Sequence, residues 1–169
     1  FIKKNTIIVE AQVTVLSVKC ARKLIPEIDF SQPSGNPDSV SLKIGDGSVN
    51  VCRKFLSWHS PYFASLFVGK ENDSEVVLDN VQIEEFTDLL HVIYPLGKQI
   101  RVDTFKPILI LAERFQIERA VDLVEKYLIN SNKMKPAAKL LLSEQYSLEL
   151  LQEHCFESLN TIQKIKQLE

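Results

Sequence analysis

The chain has 169 residues, of which 45% are hydrophobic, and its 20 Lys and Arg against 22 Asp and Glu give a formal net charge of -2. This length permits one medium domain with flanking pieces, and it allows about 70% of the surface of the unfolded chain to be buried. The balanced charge, with no basic stripe interleaved with aromatic residues, argues against nucleic acid as a partner, and no apolar run is long enough to span a membrane.

The cysteines of the chain are few and dispersed. Cys20, Cys52 and Cys155 lie far apart and form no C-x-x-C pair. This pattern is not that of a disulfide framework, so we expect an intracellular protein, cytoplasmic or nuclear. The chain begins at Phe1 without a Met, which favours a fragment of a longer protein.

The first predicted element is a strand. From Ile7 to Val15 apolar side chains recur at every second position, as in a half-buried strand. A single strand is not stable alone in water, so it either pairs within this chain or closes a preceding domain, and we favour the second. Residues 26–37, which are rich in Pro, Ser, Gly and Asn, then predict a linker.

A β-hairpin is predicted directly after the linker. Apolar residues alternate over 40–44 and again over 49–51, on either side of Gly45-Asp46-Gly47. An Asp-Gly pair between two alternating runs is a strong hairpin signal, because glycine accepts the positive φ of a tight turn. Val76–Leu78 predicts a third strand, and Ile100 and Val102 suggest one more, very short strand.

Most of the remaining chain is predicted to be helical. An aromatic-rich helix extends from Arg53 to Phe67 with a break at Ser60-Pro61, where Ser60 suits a helix cap and Pro61 a first helical turn. Further apolar stripes at helical spacing predict helices over 84–94, 108–115, 117–128 and, as a pair, 136–159, with a last piece over 162–168. A few strands followed by helices alone predict an α+β fold dominated by helices.

Several of these segments together resemble the BTB (POZ) fold. The resemblance is carried by Val40-x-Leu42-x-Ile44…Val49-x-Val51, by Phe55-Leu56-Ser57-Trp58-His59-Ser60-Pro61-Tyr62-Phe63-x-x-x-Phe67, by Val76-Val77-Leu78-Asp79-Asn80-Val81, by Phe86-x-x-Leu89-Leu90-x-x-Ile93-Tyr94 and by Leu111-Ala112-x-x-Phe115. It implies an α+β fold in which a small β-sheet is combined with a cluster of helices and followed by an additional helical pair.

The flanking segments resemble the MATH–BTB proteins that are abundant in nematodes. This second likeness is carried by Ile93-Tyr94-Pro95 and by the linker Asp29-Phe30-Ser31-x-Pro33-Ser34. It implies four parts: the C-terminal strand of a largely missing MATH domain at 1–17, a linker at 18–37, the BTB/POZ domain at 38–131, and the start of a BACK or 3-box helix pair at 132–169.

The resemblance implies a protein-interaction adaptor and not an enzyme. In this family the BTB domain usually forms a homodimer and binds the N-terminal helices of cullin-3, while the MATH domain captures the substrate of the ubiquitin ligase. By position, the candidate cullin contacts are Phe67, Val68, Glu71 and Tyr94, and the candidate dimer contacts are Ile28, Phe30, Phe55 and Trp58. From the residues alone, Phe67, Tyr94 and Trp58 fit core packing as well, and Glu71 fits a solvated loop charge.

Two departures from the family pattern keep an alternative open. Ser39 stands where the family commonly has an Asp that is tied to the dimer arrangement. The loop at 68–73 is also short, and it separates Val68 from Glu71 by two residues where the family's cullin motif has one. The alternative is a self-associating BTB scaffold that recruits no ligase. A transcription-factor BTB protein would need a DNA-binding element elsewhere, and the MATH-like strand argues against it.

The sequence carries no pattern of a catalytic, metal or cofactor site. His154 and Cys155 are adjacent on a predicted helix, about 100° apart around its axis, so both cannot face one metal ion. His91 lies off the apolar stripe of its helix and is expected at the solvated rim. The five glycines form no nucleophile elbow, phosphate loop or dinucleotide fingerprint. We therefore expect no catalytic residue, no metal and no cofactor.

Overall fold

The computed structural model describes residues 28–33, 35–94 and 99–166, together with two short segments near the start of the chain. These segments are the strands β1 (Ile2–Lys3) and β2 (Thr6–Ile7), which pair in antiparallel orientation. The rest of the strand predicted over 7–15 lies outside the described residues, as does most of the segment assigned to a preceding domain.

The central sheet has three strands in the order β4-β3-β5. They are β3 (Ser39–Ile44), β4 (Gly47–Cys52) and β5 (Glu75–Val77). Strands β3 and β4 are antiparallel, with Ile44 opposite Gly47, and β5 is parallel to β3. The predicted hairpin and the predicted third strand are therefore confirmed. Alternate residues of all three strands are buried, so one face of the sheet packs on the helices.

The turn of the hairpin requires both of its glycines, for different reasons. Gly45 has a φ of +57°, whereas neither Asp46 nor Gly47 has a positive φ. A positive φ at the first central residue alone is the pattern of a type II′ turn, so the glycine of the Asp-Gly pair is not the one that bends the chain. Gly47 instead provides space, because a Cβ there would lie 2.6 Å from Cδ1 of Ile83.

Seven helices follow or interrupt the sheet within the described residues. They are α1 (Arg53–His59), α2 (Pro61–Leu66), α3 (Ile83–Ile93), α4 (Phe105–Arg114), α5 (Glu118–Asn130), α6 (Pro136–Gln145) and α7 (Glu149–Lys166). The break at Ser60-Pro61 is confirmed. The suggested strand at Ile100 and Val102 is wrong, since Arg101 bonds to Thr104 in a turn that leads into α4. The separate last piece is also wrong, because α7 is continuous to Lys166.

Ser60 connects three helices at the centre of the fold. Its backbone is extended, with φ -148° and ψ 113°, which ends α1 and starts α2. Its buried hydroxyl accepts a hydrogen bond from the N–H of Phe63 at 3.0 Å and donates one to the carbonyl of Phe115 at 2.5 Å. Around this connection the rings of Phe63, Phe86 and Phe115 pack with centroids 5.0–6.1 Å apart. The cap therefore fixes how α1, α2 and the end of α4 meet.

Helices α6 and α7 share a core with the helices that precede them. Leu142, Leu148 and Leu151 are buried in the same cluster as the residues of α3–α5. Two buried charged residues strengthen the junction. Glu125 of α5 accepts a hydrogen bond from the N–H of Leu151 at 2.9 Å, near the start of α7. Lys139 of α6 donates to the carbonyl of Ile129 at 3.1 Å, near the end of α5. The trailing pair thus packs against α5 and extends the same hydrophobic core.

Candidate interaction surface

Exposed apolar side chains cluster where α1 and α2 meet the loop that follows α2. Trp58 of α1 is 86% exposed, and Val68, just after α2, is 75% exposed. With Phe67, Glu71 and the start of α1 they line a shallow groove of about 580 Å³. We call this groove and its rim the α1–α2 surface. Large apolar side chains exposed side by side are typical of a protein-interaction site.

The short helix α1 explains why Trp58 faces solvent. Leu56 is fully buried, and Trp58 lies about 200° further around the helix axis, on the opposite face. The alternative that Trp58 packs in the core of the chain is therefore wrong. Phe55 turns to a third side of α1, where its ring contacts the ring of Tyr94 with centroids 4.0 Å apart.

Charged groups form the rim of the α1–α2 surface. The ammonium group of Lys54 lies 2.9 Å from the carboxylate of Asp38, and this hydrogen bond, with the charge of Asp38, raises the pKa of Lys54. Arg53 donates to the carbonyl of Ser39 at 3.4 Å and to that of Asp73, which joins the start of α1 to the end of the loop. The sequence interpretation missed these three groups. Lys54 could have been identified from the sequence, because it lies four residues before Trp58 and therefore on the same face of the helix.

The loop after α2 holds the side chain of Glu71 against its own backbone. Gly69 has a φ of +74°, and its N–H donates to the carboxylate of Glu71 at 3.1 Å. Backbone hydrogen bonds from Glu71 itself and from Gly69 lower the pKa of this carboxyl group, so it is ionised at neutral pH. The short loop is therefore an ordered turn that presents a negative charge beside Val68.

The four candidate cullin contacts lie in two places. Phe67, Val68 and Glu71 all line the α1–α2 groove, although Phe67 is largely buried and its ring stacks on that of Phe63, with centroids 6.0 Å apart. Tyr94 is not among the lining residues of this groove. It ends α3 and packs against Phe55, on another side of α1.

The four candidate dimer contacts divide by exposure. Trp58 and Ile28 are exposed, whereas Phe55 is half-buried and Phe30 is only 5% exposed. The rings of Phe30 and Phe55 both pack on Tyr94, with centroids 5.2 Å and 4.0 Å from it. Within this chain, Phe30 and Phe55 therefore support the fold, and Trp58 and Ile28 are free to meet a partner.

His91 is buried, so the expectation of a solvated or rim histidine is wrong. Its Nδ1 lies 2.8 Å from the carbonyl oxygen of Thr87, one helical turn earlier. The ring of Phe30 approaches it edge-on, with centroids 5.2 Å apart. His91 does lie off the main apolar stripe of α3, but the linker covers that side of the helix, and helical periodicity does not reveal such a cover.

Tyr94 is expected to ionise only in strong alkali. Its hydroxyl accepts a hydrogen bond from the N–H of Cys52 at 3.3 Å, but burial is the larger influence and raises its pKa from 10.0 to about 12. The neutral hydroxyl therefore stabilises the folded state fully below pH 10.0, and this contribution is lost as the pH rises toward about 12. In an alkaline titration of near-ultraviolet tyrosinate absorbance, the difference between wild type and Tyr94→Phe should have a midpoint near pH 12. A midpoint near 10.0 would contradict the burial of this hydroxyl.

The described residues give no indication of a metal centre or a membrane helix. No group of three or more His, Cys, Asp or Glu side chains among them is placed to hold a metal ion. No helix in the same part of the chain is long and apolar enough to cross a bilayer. The feature that remains to be assigned is the α1–α2 surface.

Comparison with known proteins gives the chain a family. The family model described as BTB/POZ domain matches residues 36–132. The BTB and MATH domain-containing protein 38 of Caenorhabditis elegans is 30% identical over 169 residues, which cover 98% of this chain and 43% of the relative. The BTB and MATH domain-containing protein 36 of the same nematode is 30% identical over 171 residues, which cover 99% of this chain and 53% of the relative. The chain thus spans about half the length of these curated relatives.

Two solved BTB domains are also similar. The BTB domain of zebrafish PATZ1 gives a TM-score of 0.49 at 20% identity over 58% of this chain and 80% of that structure. The BTB domain of human gigaxonin gives a TM-score of 0.49 at 16% identity over 70% of this chain and 99% of that structure. The family match covers the sheet and helices α1–α5. The chain belongs to the BTB/POZ family of protein-interaction domains, which are generally non-catalytic, and it is related to the MATH–BTB proteins.

Proposed function

We propose that this chain is the BTB part of a substrate adaptor for a cullin-3 ubiquitin ligase. In this proposal Val68 and Glu71 contact the N-terminal helices of cullin-3, and a MATH domain that precedes the BTB domain binds the protein substrate. Residues 132–169 form the start of a BACK or 3-box helix pair. The observation that carries the proposal is the exposed apolar groove between α1 and α2, with an ionised carboxylate at its rim.

The chemistry of the groove suits an amphipathic helix. Burying the exposed part of Val68 contributes about 1–2 kcal/mol. The half-buried Ala64 and the largely buried Phe67 extend the apolar lining of the groove. Association costs about 4–15 kcal/mol in lost freedom, so stable binding needs many such contacts along a helix laid in the groove. Glu71 at the rim is placed to face a helix N-terminus or a basic side chain of the partner.

Binding of the chain to the N-terminal region of cullin-3 tests the proposal. At roughly 50 µM of each protein, a micromolar complex should migrate together in size exclusion. Val68→Asp should weaken binding by at least about 10-fold, because a buried, unpaired charge costs more than about 1.4 kcal/mol. The matched control is Val77→Asp on β5, which changes a side chain that is also exposed but lies outside the groove. Absence of binding by the wild type, or equal effects of the two variants, would contradict the proposal.

The second candidate is a self-associating scaffold that recruits no ligase. It is favoured by the engagement of the Glu71 carboxylate with the N–H of Gly69, which leaves less of this acid for a partner. In both candidates the homodimer contact is proposed at the exposed residues Trp58 and Ile28, with Phe30 and Phe55 supporting them from within. Light scattering that reports a dimer, together with no cullin binding, would select the scaffold.

A further inference from the structure

The linker before the BTB domain is anchored to the domain by one aromatic side chain. Phe30 is buried, whereas Ile28, Asp29, Ser31 and Gln32 around it are exposed. Its ring packs edge-on against His91 of α3 and against Tyr94, which follows α3, with both centroids at 5.2 Å. Docking of the linker therefore removes a large apolar side chain from water, which stabilises the bound segment.

A single residue of β4 binds the backbone of the anchor residue and of the residue that follows it. β4 lies at the edge of the sheet, with β3 on one side only. The backbone N–H of Asn50 donates to the carbonyl of Phe30 at 2.7 Å. The side-chain amide of Asn50 donates to the same carbonyl at 3.3 Å and to the carbonyl of Ser31 at 3.1 Å. The linker therefore satisfies the free edge of the strand at this point, in the manner of an added peptide.

The bound segment is also shaped by its own side chains. One carboxylate oxygen of Asp29 accepts hydrogen bonds from the N–H of Ser31 at 2.9 Å and from its hydroxyl at 2.6 Å. These hydrogen bonds, the side-chain one first, lower the pKa of Asp29. Phe30 is the central residue of the turn that these hydrogen bonds close. The turn therefore pre-organises Phe30 for docking and lowers the entropy cost of binding.

We infer that Asp29-Phe30-Ser31 is a strap, a docked peptide that binds the chain in cis and sets where the preceding region leaves the domain. Without the docked strap, the chain would be flexible up to about residue 38. The roughly ten residues released in this way would have an r.m.s. end-to-end distance of about 16–19 Å. The strap removes that freedom. Its test involves no cullin, so failure of the strap and failure of the proposed adaptor function are distinguishable.

Chymotrypsin cuts after aromatic residues, so its rate of cutting after Phe30 in the full chain measures how often the strap is undocked. The bond after Phe30 should be cut at least about 10-fold more slowly in the wild type than in a free peptide with the sequence of residues 24–36, because the docked anchor is inaccessible. Asn50→Ala should speed cutting at this bond by at least about 10-fold, since it removes both side-chain hydrogen bonds. Lys43→Ala, an exposed change on the neighbouring strand β3 and away from the cavities that the strap lines, is the matched control and should have no effect.

A second variant tests the strap independently in case Asn50→Ala impairs folding. The side chain of Asp29 is exposed and accepts its hydrogen bonds from Ser31, so Asp29→Ala opens the turn without disturbing the core. It should also speed cutting after Phe30 while the circular dichroism of the chain remains that of the folded wild type. Cutting of the wild type as fast as the free peptide, or equal rates in Asp29→Ala, Asn50→Ala and Lys43→Ala, would overturn the inference.

Discussion

Ser60→Ala is expected to lower the free energy of unfolding by about 2–4 kcal/mol, although it removes only one oxygen atom. Its hydroxyl is fully buried and is the partner of two backbone groups, the N–H of Phe63 and the carbonyl of Phe115. Both groups remain buried in the variant without this partner. Each such loss costs about 1–3 kcal/mol, and the cap of α2 is lost with it.

Urea unfolding of Ser60→Ala should be compared with that of two further variants. The comparison shows whether the loss of stability comes from the hydroxyl of Ser60 or from any substitution in α1 and α2. Ser60→Thr keeps the hydroxyl and should retain more of the stability than Ser60→Ala. Ser65→Ala changes an exposed serine of the same helix α2 and should alter stability by less than about 0.5 kcal/mol. A loss below about 1 kcal/mol for Ser60→Ala would mean that water or a shifted backbone replaces the hydroxyl.

This cap also links stability to the α1–α2 surface. Trp58 lies two residues before Ser60 in α1, and Val68 follows α2, so the angle between the two helices sets their separation. Ser60 fixes that angle through its extended backbone and its bond to the end of α4. A chain that folds without the cap is therefore expected to present a less defined groove.

Elements with strong local signals were predictable from the sequence. The hairpin and the break between α1 and α2 follow from residues whose own chemistry sets the backbone, such as the glycines of the turn and Ser60-Pro61. The two errors in secondary structure arose where that chemistry is weak. Two alternating apolar residues, Ile100 and Val102, do not define a strand, and no Pro or Gly lies between Leu159 and Ile162 to end α7.

The candidate site was predictable only in part, because exposure depends on contacts between distant segments. The resemblance to the BTB fold placed Phe67, Val68 and Glu71 in one region, and they do line one groove. Whether Trp58 faces core or solvent depends on which side of α1 meets the sheet and α2. His91 is buried by Phe30, a residue of the linker, and neither the helical period nor the composition of α3 contains that information.

Glu125→Ala is expected to release α7 and α6 from the rest of the domain at a cost of about 2–3 kcal/mol. The carboxylate of Glu125 is buried and accepts the N–H of Leu151, one of the first donors of α7 that has no partner within the helix. A negative charge at this place also complements the positive end of the helix dipole. Without this carboxylate, the N–H of Leu151 stays buried and unpaired, and the hydrogen bond that joins α5 to the start of α7 is lost.

Hydrogen exchange along the chain is the appropriate measurement, because the loss should be local. Amides of 136–158 should exchange at least about 10-fold faster in Glu125→Ala, whereas those of α2–α4 keep their protection. Glu125→Gln retains an acceptor oxygen without the charge and should fall between wild type and Glu125→Ala. Asp122→Ala, an exposed acid on the same helix, should change nothing measurable. Uniform loss of protection in all helices would instead mean that α6 and α7 unfold only together with the BTB domain, which would make the helix pair inseparable from the fold that presents the α1–α2 surface.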